Sequence, residues 1–295
     1  MEETLGMAKK STCFVLLSVL FLLLPFPSVR ADRWRVLDAA LSMLEEGNPF
    51  LTRYNEDTGA GIEARFSLGC PYFWGGRDVK KIPEPAFPAQ SSEYYSTEKR
   101  YLYGLDCVGF TRWVMAEAGF APHDTISNLL NRGLYKEYAN YPASKATGKE
   151  RMTKLRVGDL LAIQHPSGGF HIAMYIGSLF DFGYTVKTLP EELSPYLYYP
   201  LLIHCTGSGE YRERYRRYIA ERFPDTEESG EAAVLPPYGG VIVTILDVPP
   251  SEAPYRAEDI DGQPVPCFIL EGYCLQITDL AREKQTRWIR WEQKP

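Results

Sequence analysis

The sequence predicts an α+β fold, helices first and strands after, on three observations. Apolar residues early in the chain recur at three- and four-residue spacing. From Val157 onward the apolar runs are short and bounded by glycines. No stretch alternates strand, helix and strand as a parallel crossover fold would. Trp34, Leu37, Leu41 and Leu44 set a helix over 33–46, with Gly47 placed to stop it. Residues 77–100 carry Pro83, Pro85, Pro88 and a Ser/Tyr cluster, and read as a long surface loop. A second helix is expected over 107–118, with Asp106 at its entrance and Gly119 at its exit. Residues 159–163, 171–176 and 201–204, set off by Gly158, Gly168, Gly169 and Gly177, read as strands of an antiparallel sheet. A basic, aromatic helix follows at 211–223, a solvated face packed by Tyr215 and Ile219. Residues 224–239 form a polar, proline-containing linker. Beyond it, 241–248 and 267–277 are strand-like and 282–291 reads as a short helix. Residues 240–295 are thus a β-rich C-terminal extension, either a small module or extra layers on the main domain.

Composition narrows the function classes. The 295 residues include 32 Lys and Arg against 38 Asp and Glu, a net charge of −6, where a nucleic-acid partner would call for a clustered basic face. At 45% hydrophobic and 24% charged residues, long disorder and collagen-like repeats are excluded. The aromatic richness, 20 Tyr, 14 Phe and 5 Trp, suits an extracellular fold with a groove for an extended ligand. Lys9 and Lys10 precede an apolar run from Phe14 to Leu24, then Pro25, then Val29-Arg30-Ala31. This is the pattern of a secretory signal over 1–31 cleaved after Ala31, because the run is far short of the roughly 20 residues a spanning helix needs. Export to the medium or cell envelope follows, with no stable membrane anchor after cleavage. Cys13 leaves with the signal. Five cysteines then remain: Cys70, Cys107, Cys205, Cys267 and Cys274. An odd number leaves at least one thiol without an intramolecular bridge; Cys267 and Cys274 are close enough in sequence to form one. No CxxC pair supports a structural zinc site.

The chemistry concentrates on one thiol. Asp106-Cys107-Val108-Gly109-Phe110 puts a cysteine at a helix start, where first-turn amides and the helix dipole favour an anion and lower a thiol pKa. The same amides are candidate oxyanion donors. A cysteine in this place is otherwise a small buried residue, so partners decide. His171 opens a strand after Gly168-Gly169, placed to act as base, and His204 ends the next strand, placed to fix its tautomer. His123 and His165 lie in loop-like sequence and read as surface residues.

With these residues in view the chain resembles the NlpC/P60 cysteine peptidases of bacterial cell walls. Gly69-Cys70-Pro71-Tyr72-Phe73-Trp74-Gly75-Gly76 resembles their PY-x-WGG segment, and Asp106-Cys107-Val108-Gly109-Phe110 their DCSGF nucleophile motif. Gly158-Asp159-Leu160 with His171-Ile172-Ala173-Met174-Tyr175-Ile176-Gly177 resembles their GDL and HVGIYIG strands, and Ile203-His204 their third polar position. The resemblance covers 69–209. It implies a papain-like core over 32–223, with the nucleophile helix packed on an antiparallel sheet. It implies that Cys107 attacks a carbonyl, His171 is base and acid, and His204 orients the imidazole. It implies substrate contact from Tyr72, Trp74 and Asp106, Trp74 having core packing as its plainer reading. The implied substrate is a peptidoglycan stem peptide, cut between D-glutamate and a diamino acid through a thioester, with no metal or organic cofactor. An amidase or acyltransferase with the same Cys–His core, and a non-catalytic wall-binding protein, are the rival readings.

Three departures mark this chain. Val108 stands where the family has Ser, the 77–105 and 179–200 stretches are long, and the Tyr-rich 194–200 segment is expected to wall or lid the groove. Cys205 is expected to face away from His204 and pack, and Cys70 to be structural. Trp288 and Trp291, three apart on the expected last helix, are expected to pack rather than to bind wall.

Overall fold

The computed structural model describes residues 28–45, 48–59, 70, 72, 75–77, 104–120, 135–138, 155–164, 170–206, 240–258, 264–271, 273–278 and 285–291. Residues 1–27 of the expected signal, the 78–103 part of the long loop, the 211–223 helix and the 224–239 linker lie outside these. Helix α1 spans Ser28–Ser42, α2 Pro49–Thr58 and α3 Cys107–Glu117. The strands are β1 Tyr135–Tyr138, β2 Leu160–Gln164, β3 Phe170–Ser178, β4 Pro200–Thr206, β5 Gly240–Leu246, β6 Tyr255–Glu258, β7 Pro264–Leu270, β8 Tyr273–Thr278 and β9 Gln285–Trp291. Among the described residues no helix is long and apolar enough to cross a membrane.

All nine strands join one sheet in the order β1-β9-β2-β3-β4-β5-β8-β7-β6. The fold class is therefore α+β as expected, but the sheet is mixed: β5 and β8 run parallel, since the chain leaves β5 for the β6 edge and returns through β7. The C-terminal segment is part of the main sheet, with β5 paired to β4 and β9 inserted between β1 and β2. Residues 282–291 thus contain a strand where a helix was expected. Single-segment spacing of Trp288 and Trp291 could not register that two open strand edges were waiting on either side. Trp288 packs, as expected, but through the sheet, its ring edge-on to Tyr175 at 6.4 Å. The β7–β8 register sets Cys267 against Gln276 and Cys274 against Ile269, so the two cysteines are diagonal and not directly opposed.

Strands β2 to β4 are buried on both faces, which is why they read as nearly continuous apolar runs. Leu160, Ala162, Ile172, Met174, Ile176 and Ile203 pack toward the helices; Leu161, Ile163, Ala173, Tyr175 and Leu202 pack with Trp288 on the other side. Helix α2, not expected from the sequence, carries an Asn48-Pro49 start, with Thr52 N–H donating to the Asn48 carbonyl at 3.1 Å. It is tied to α3 by Arg53, whose guanidinium forks onto Glu117 at 2.6 and 2.9 Å and lies over the Trp113 ring. Helix α1 reaches the head of β2: Arg33 donates to the Val157 carbonyl at 2.8 Å, and Val36 packs against Gly158, whose φ of +90° suits glycine.

Asp159, just before β2, is buried in a fixed ion pair. Arg290 of β9 donates from Nε to Oδ1 at 2.9 Å and from Nη2 to Oδ2 at 2.7 Å, and the Arg156 amide donates to Oδ2 at 2.8 Å. The Gly-Asp-Leu motif is thereby a structural clamp between the second and last strands.

The 179–200 insertion leaves and rejoins the sheet at the end away from His171. His171 is at the start of β3 and Ser178 at its close, so at the rise of a strand about 23 Å separates them. The insertion leaves from Ser178 and rejoins at Pro200, at that far end. Leu193, Tyr196 and Leu197 bury there, Tyr196 against Phe268 of β7 with ring centroids 5.4 Å apart. The Tyr-rich segment, expected to wall or lid the groove, packs its buried residues into the core against the C-terminal strands.

Candidate active site

Helix α3 begins where the sequence places it because Asp106 caps it. The Asp106 side chain accepts from the Gly109 amide at 2.7 Å, the N-cap bond that satisfies an orphan first-turn donor. Its second oxygen accepts from the Gly75 amide at 3.2 Å and pairs with the Arg77 guanidinium at 3.4 Å. The Asp106 amide in turn donates to the Gly76 carbonyl at 3.1 Å. Asp106 is only 6% exposed, and both carboxylate oxygens face its own chain, so it is a positioning residue and not the substrate contact expected of it. Burial, opposed by Arg77 and the amides of Gly109, Gly75 and Val108, raises its pKa.

The same strap brings the rest of the motif in. Tyr72 bridges Leu105, two residues before Cys107, and its side chain is buried. Cys205 is buried facing this junction, its thiol donating to the Leu105 carbonyl at 3.1 Å, and the Cys70 carbonyl accepts from the Val241 amide at 3.1 Å. Both cysteines are structural, as expected. Val108 is buried in the helix-side core. Trp74 lies outside the described residues.

Cys107 occupies the first position of α3 at 9% exposure. Its thiol is pushed up to about 12, by burial first and by the Asp106 charge second. Hydrogen bonds from the Ile172 and Val108 amides and the charge of Arg77 act the other way and are outweighed. The lowered thiol pKa expected from the helix start is thus not met. The helix amide contributes in the expected direction, but desolvation wins. The Ile172 amide at the sulfur has a geometric meaning too: the thiol lies against the residue that follows His171.

His171 and His204 are in contact across β3 and β4. His171 Nε2 lies 2.8 Å from His204 Nδ1, the rings edge-on at 78° with centroids 4.8 Å apart. His204 Nε2 in turn lies 3.3 Å from Thr244 Oγ1 on β5. The structure therefore gathers Cys107, His171 and His204 at one end of the sheet and adds Thr244. Sequence reasoning passed Thr244 by, although it is the lone hydroxyl in the apolar run Val241 to Leu246. Among the described residues no group of three or more metal-ligating side chains converges.

Burial lowers the His204 pKa from 6.5 to about 4. Folding therefore favours the neutral ring, so the unfolded chain binds more protons between these values and stability falls as pH drops from 6.5 toward 4. The contribution is about 3 kcal/mol, complete above 6.5 and gone below about 4. His204→Asn should remove this dependence. Urea midpoints of both proteins at pH 4, 5, 6 and 7 check it, and parallel curves would exclude it.

A cysteine at a capped helix start, against the strand whose second residue is a histidine held by a second histidine, brings a thiol and two imidazoles to one end of the sheet. Residues 69–185 match the family model described as NlpC/P60 family, the family that the sequence motifs resemble. No curated protein and no solved structure matches the chain.

Proposed function

We propose that the chain is an exported cysteine endopeptidase of papain-like architecture that hydrolyses peptidoglycan stem peptides at the D-glutamyl–diamino acid bond. The observation that carries the reading is the Cys107 sulfur at the amide of Ile172, the residue that follows a His171 whose Nε2 is engaged by His204. With Nε2 bound to His204, Nδ1 of His171 is the nitrogen that serves the thiol. As the Cys107 sulfur bonds to the scissile carbonyl carbon, its proton passes to Nδ1, and first-turn amides of α3 receive the developing oxyanion. The imidazolium then protonates the leaving amine, and a thioester remains. Water, deprotonated by His171, attacks that thioester and returns the thiol.

A thiol held near 12 fits proton transfer during attack, not a resting thiolate–imidazolium pair. Tyr72 and Trp74 are assigned to substrate contact, and export rests on the basic, then apolar, N-terminal pattern.

Mass spectrometry of muropeptides incubated with the mature protein and with Cys107→Ala tests the proposal. A new free amine on the diamino acid is expected from the unaltered protein, and a fall of at least about 10⁴-fold from the variant. A freed muramoyl lactate would make the enzyme an amidase, and turnover unaffected by the substitution would remove Cys107 from the chemistry.

A further inference from the structure

We infer that Thr244 is a positioning residue of this site: its hydroxyl accepts the Nε2 proton of His204 and so fixes the tautomers that leave His171 Nδ1 free of a proton. The inference rests on the Cys107–His171 reading above. It concerns a residue beyond the 69–185 family match, on a strand that the C-terminal extension supplies.

The placement follows from register. Leu202 pairs with Thr244 and His204 with Ile242, so His204 and Thr244 are diagonal neighbours on one face of adjacent antiparallel strands. Their side chains meet at 3.3 Å in a buried setting, just past the usual range for such a bond. Burial keeps His204 neutral at physiological pH, so one of its two nitrogens carries a proton and the other accepts.

The two tautomers have opposite consequences. If His204 carries its proton on Nε2 and gives it to Thr244, then Nδ1 accepts from His171 Nε2–H. His171 Nδ1 is then a lone pair, able to take the thiol proton. If Thr244 instead donates to His204 Nε2, the His204 proton sits on Nδ1 and points at His171 Nε2. The neutral His171 must then carry its own proton on Nδ1, where it cannot act as a base. A hydroxyl can accept through a lone pair while turning its own proton elsewhere, which a valine in its place cannot do.

Nitrogen-15 NMR of histidine-labelled protein reads the tautomers directly, and the rate of Cys107 alkylation by iodoacetamide reads their effect. In the unaltered protein both His171 and His204 are expected as the Nε2–H form. Thr244→Val should mix the tautomers, slow alkylation about three- to tenfold, and lower kcat by a similar factor with KM unchanged. Thr244→Ser should restore all three. An Nδ1–H His204 in the unaltered protein overturns the inference even if the valine variant fails to fold. A folded valine variant that alkylates at the original rate overturns it as well. Neither readout needs a peptide substrate. A protein that leaves muropeptides uncut yet shows the expected tautomers and alkylation would sink the endopeptidase reading and keep Thr244 in its role.

Discussion

Arg290→Met is expected to destabilise the protein by about 3–5 kcal/mol, the cost of stranding a buried carboxylate. Asp159 is 1% exposed and holds the guanidinium through two bonds, 2.9 and 2.7 Å. With Arg290 gone, the remaining cation near it among the described residues is Arg33, whose closest nitrogen is 3.8 Å away and whose first commitment is the Val157 carbonyl. The loss would be felt at the site as well. Asp159 anchors the head of β2, and β2 sets the register of β3 by pairing Ile163 with His171. Adding Asp159→Asn to Arg290→Met should recover a large part of the loss, because a neutral amide costs far less to bury than an unpaired charge. Urea unfolding of the two single variants and the double variant gives the coupling energy. A loss under about 1 kcal/mol for Arg290→Met would mean that water reaches Asp159 and the clamp is a surface pair.

The parts of the site that were legible in the sequence were those written locally. Asp106, Cys107 and Gly119 mark the ends of α3 by capping chemistry, and glycine-bounded apolar runs mark β2 to β4. The His171–His204 pairing followed from a histidine at the start of one strand and a histidine near the end of the next. What was missed depends on partners distant in sequence. The strand at 285–291 exists because β1 and β2 offer unpaired edges, and the Cys107 pKa is governed by burial, which no local pattern reports. Asp106 looked like a substrate ligand because the segment that uses its second oxygen, Gly75 to Arg77, lies some thirty residues earlier in the chain. The insertion's point of departure was legible too: His171 is the second residue of β3 and the insertion follows its last residue, so the polarity of one strand puts the two at opposite ends.

Gly109→Ala should harm the site although it favours the helix. In an exposed helix interior this change stabilises by about 1 kcal/mol. Here the added Cβ would fall on the Gly76 carbonyl oxygen, 2.9 Å from its carbon and 3.2 Å from Arg77 Cα. All three obstacles are backbone, so no side-chain rotation relieves them, and either α3 or the 75–77 segment must move. Moving that segment stretches three interactions at once: the Asp106 amide to the Gly76 carbonyl, the Gly75 amide to the Asp106 carboxylate, and Arg77 to the same carboxylate. Those bonds fix the first turn of α3, and Cys107 is its first residue. Overpacking of this kind costs about 1–3 kcal/mol, which outweighs the helix gain. A displacement of about 1 Å at the nucleophile lowers kcat/KM by about 10²-fold. Urea unfolding together with muropeptide turnover separates the two effects. A variant as stable as the unaltered protein but slow places the strain in the strap, whereas one both stabilised and fully active would show that Gly76 does not touch the helix.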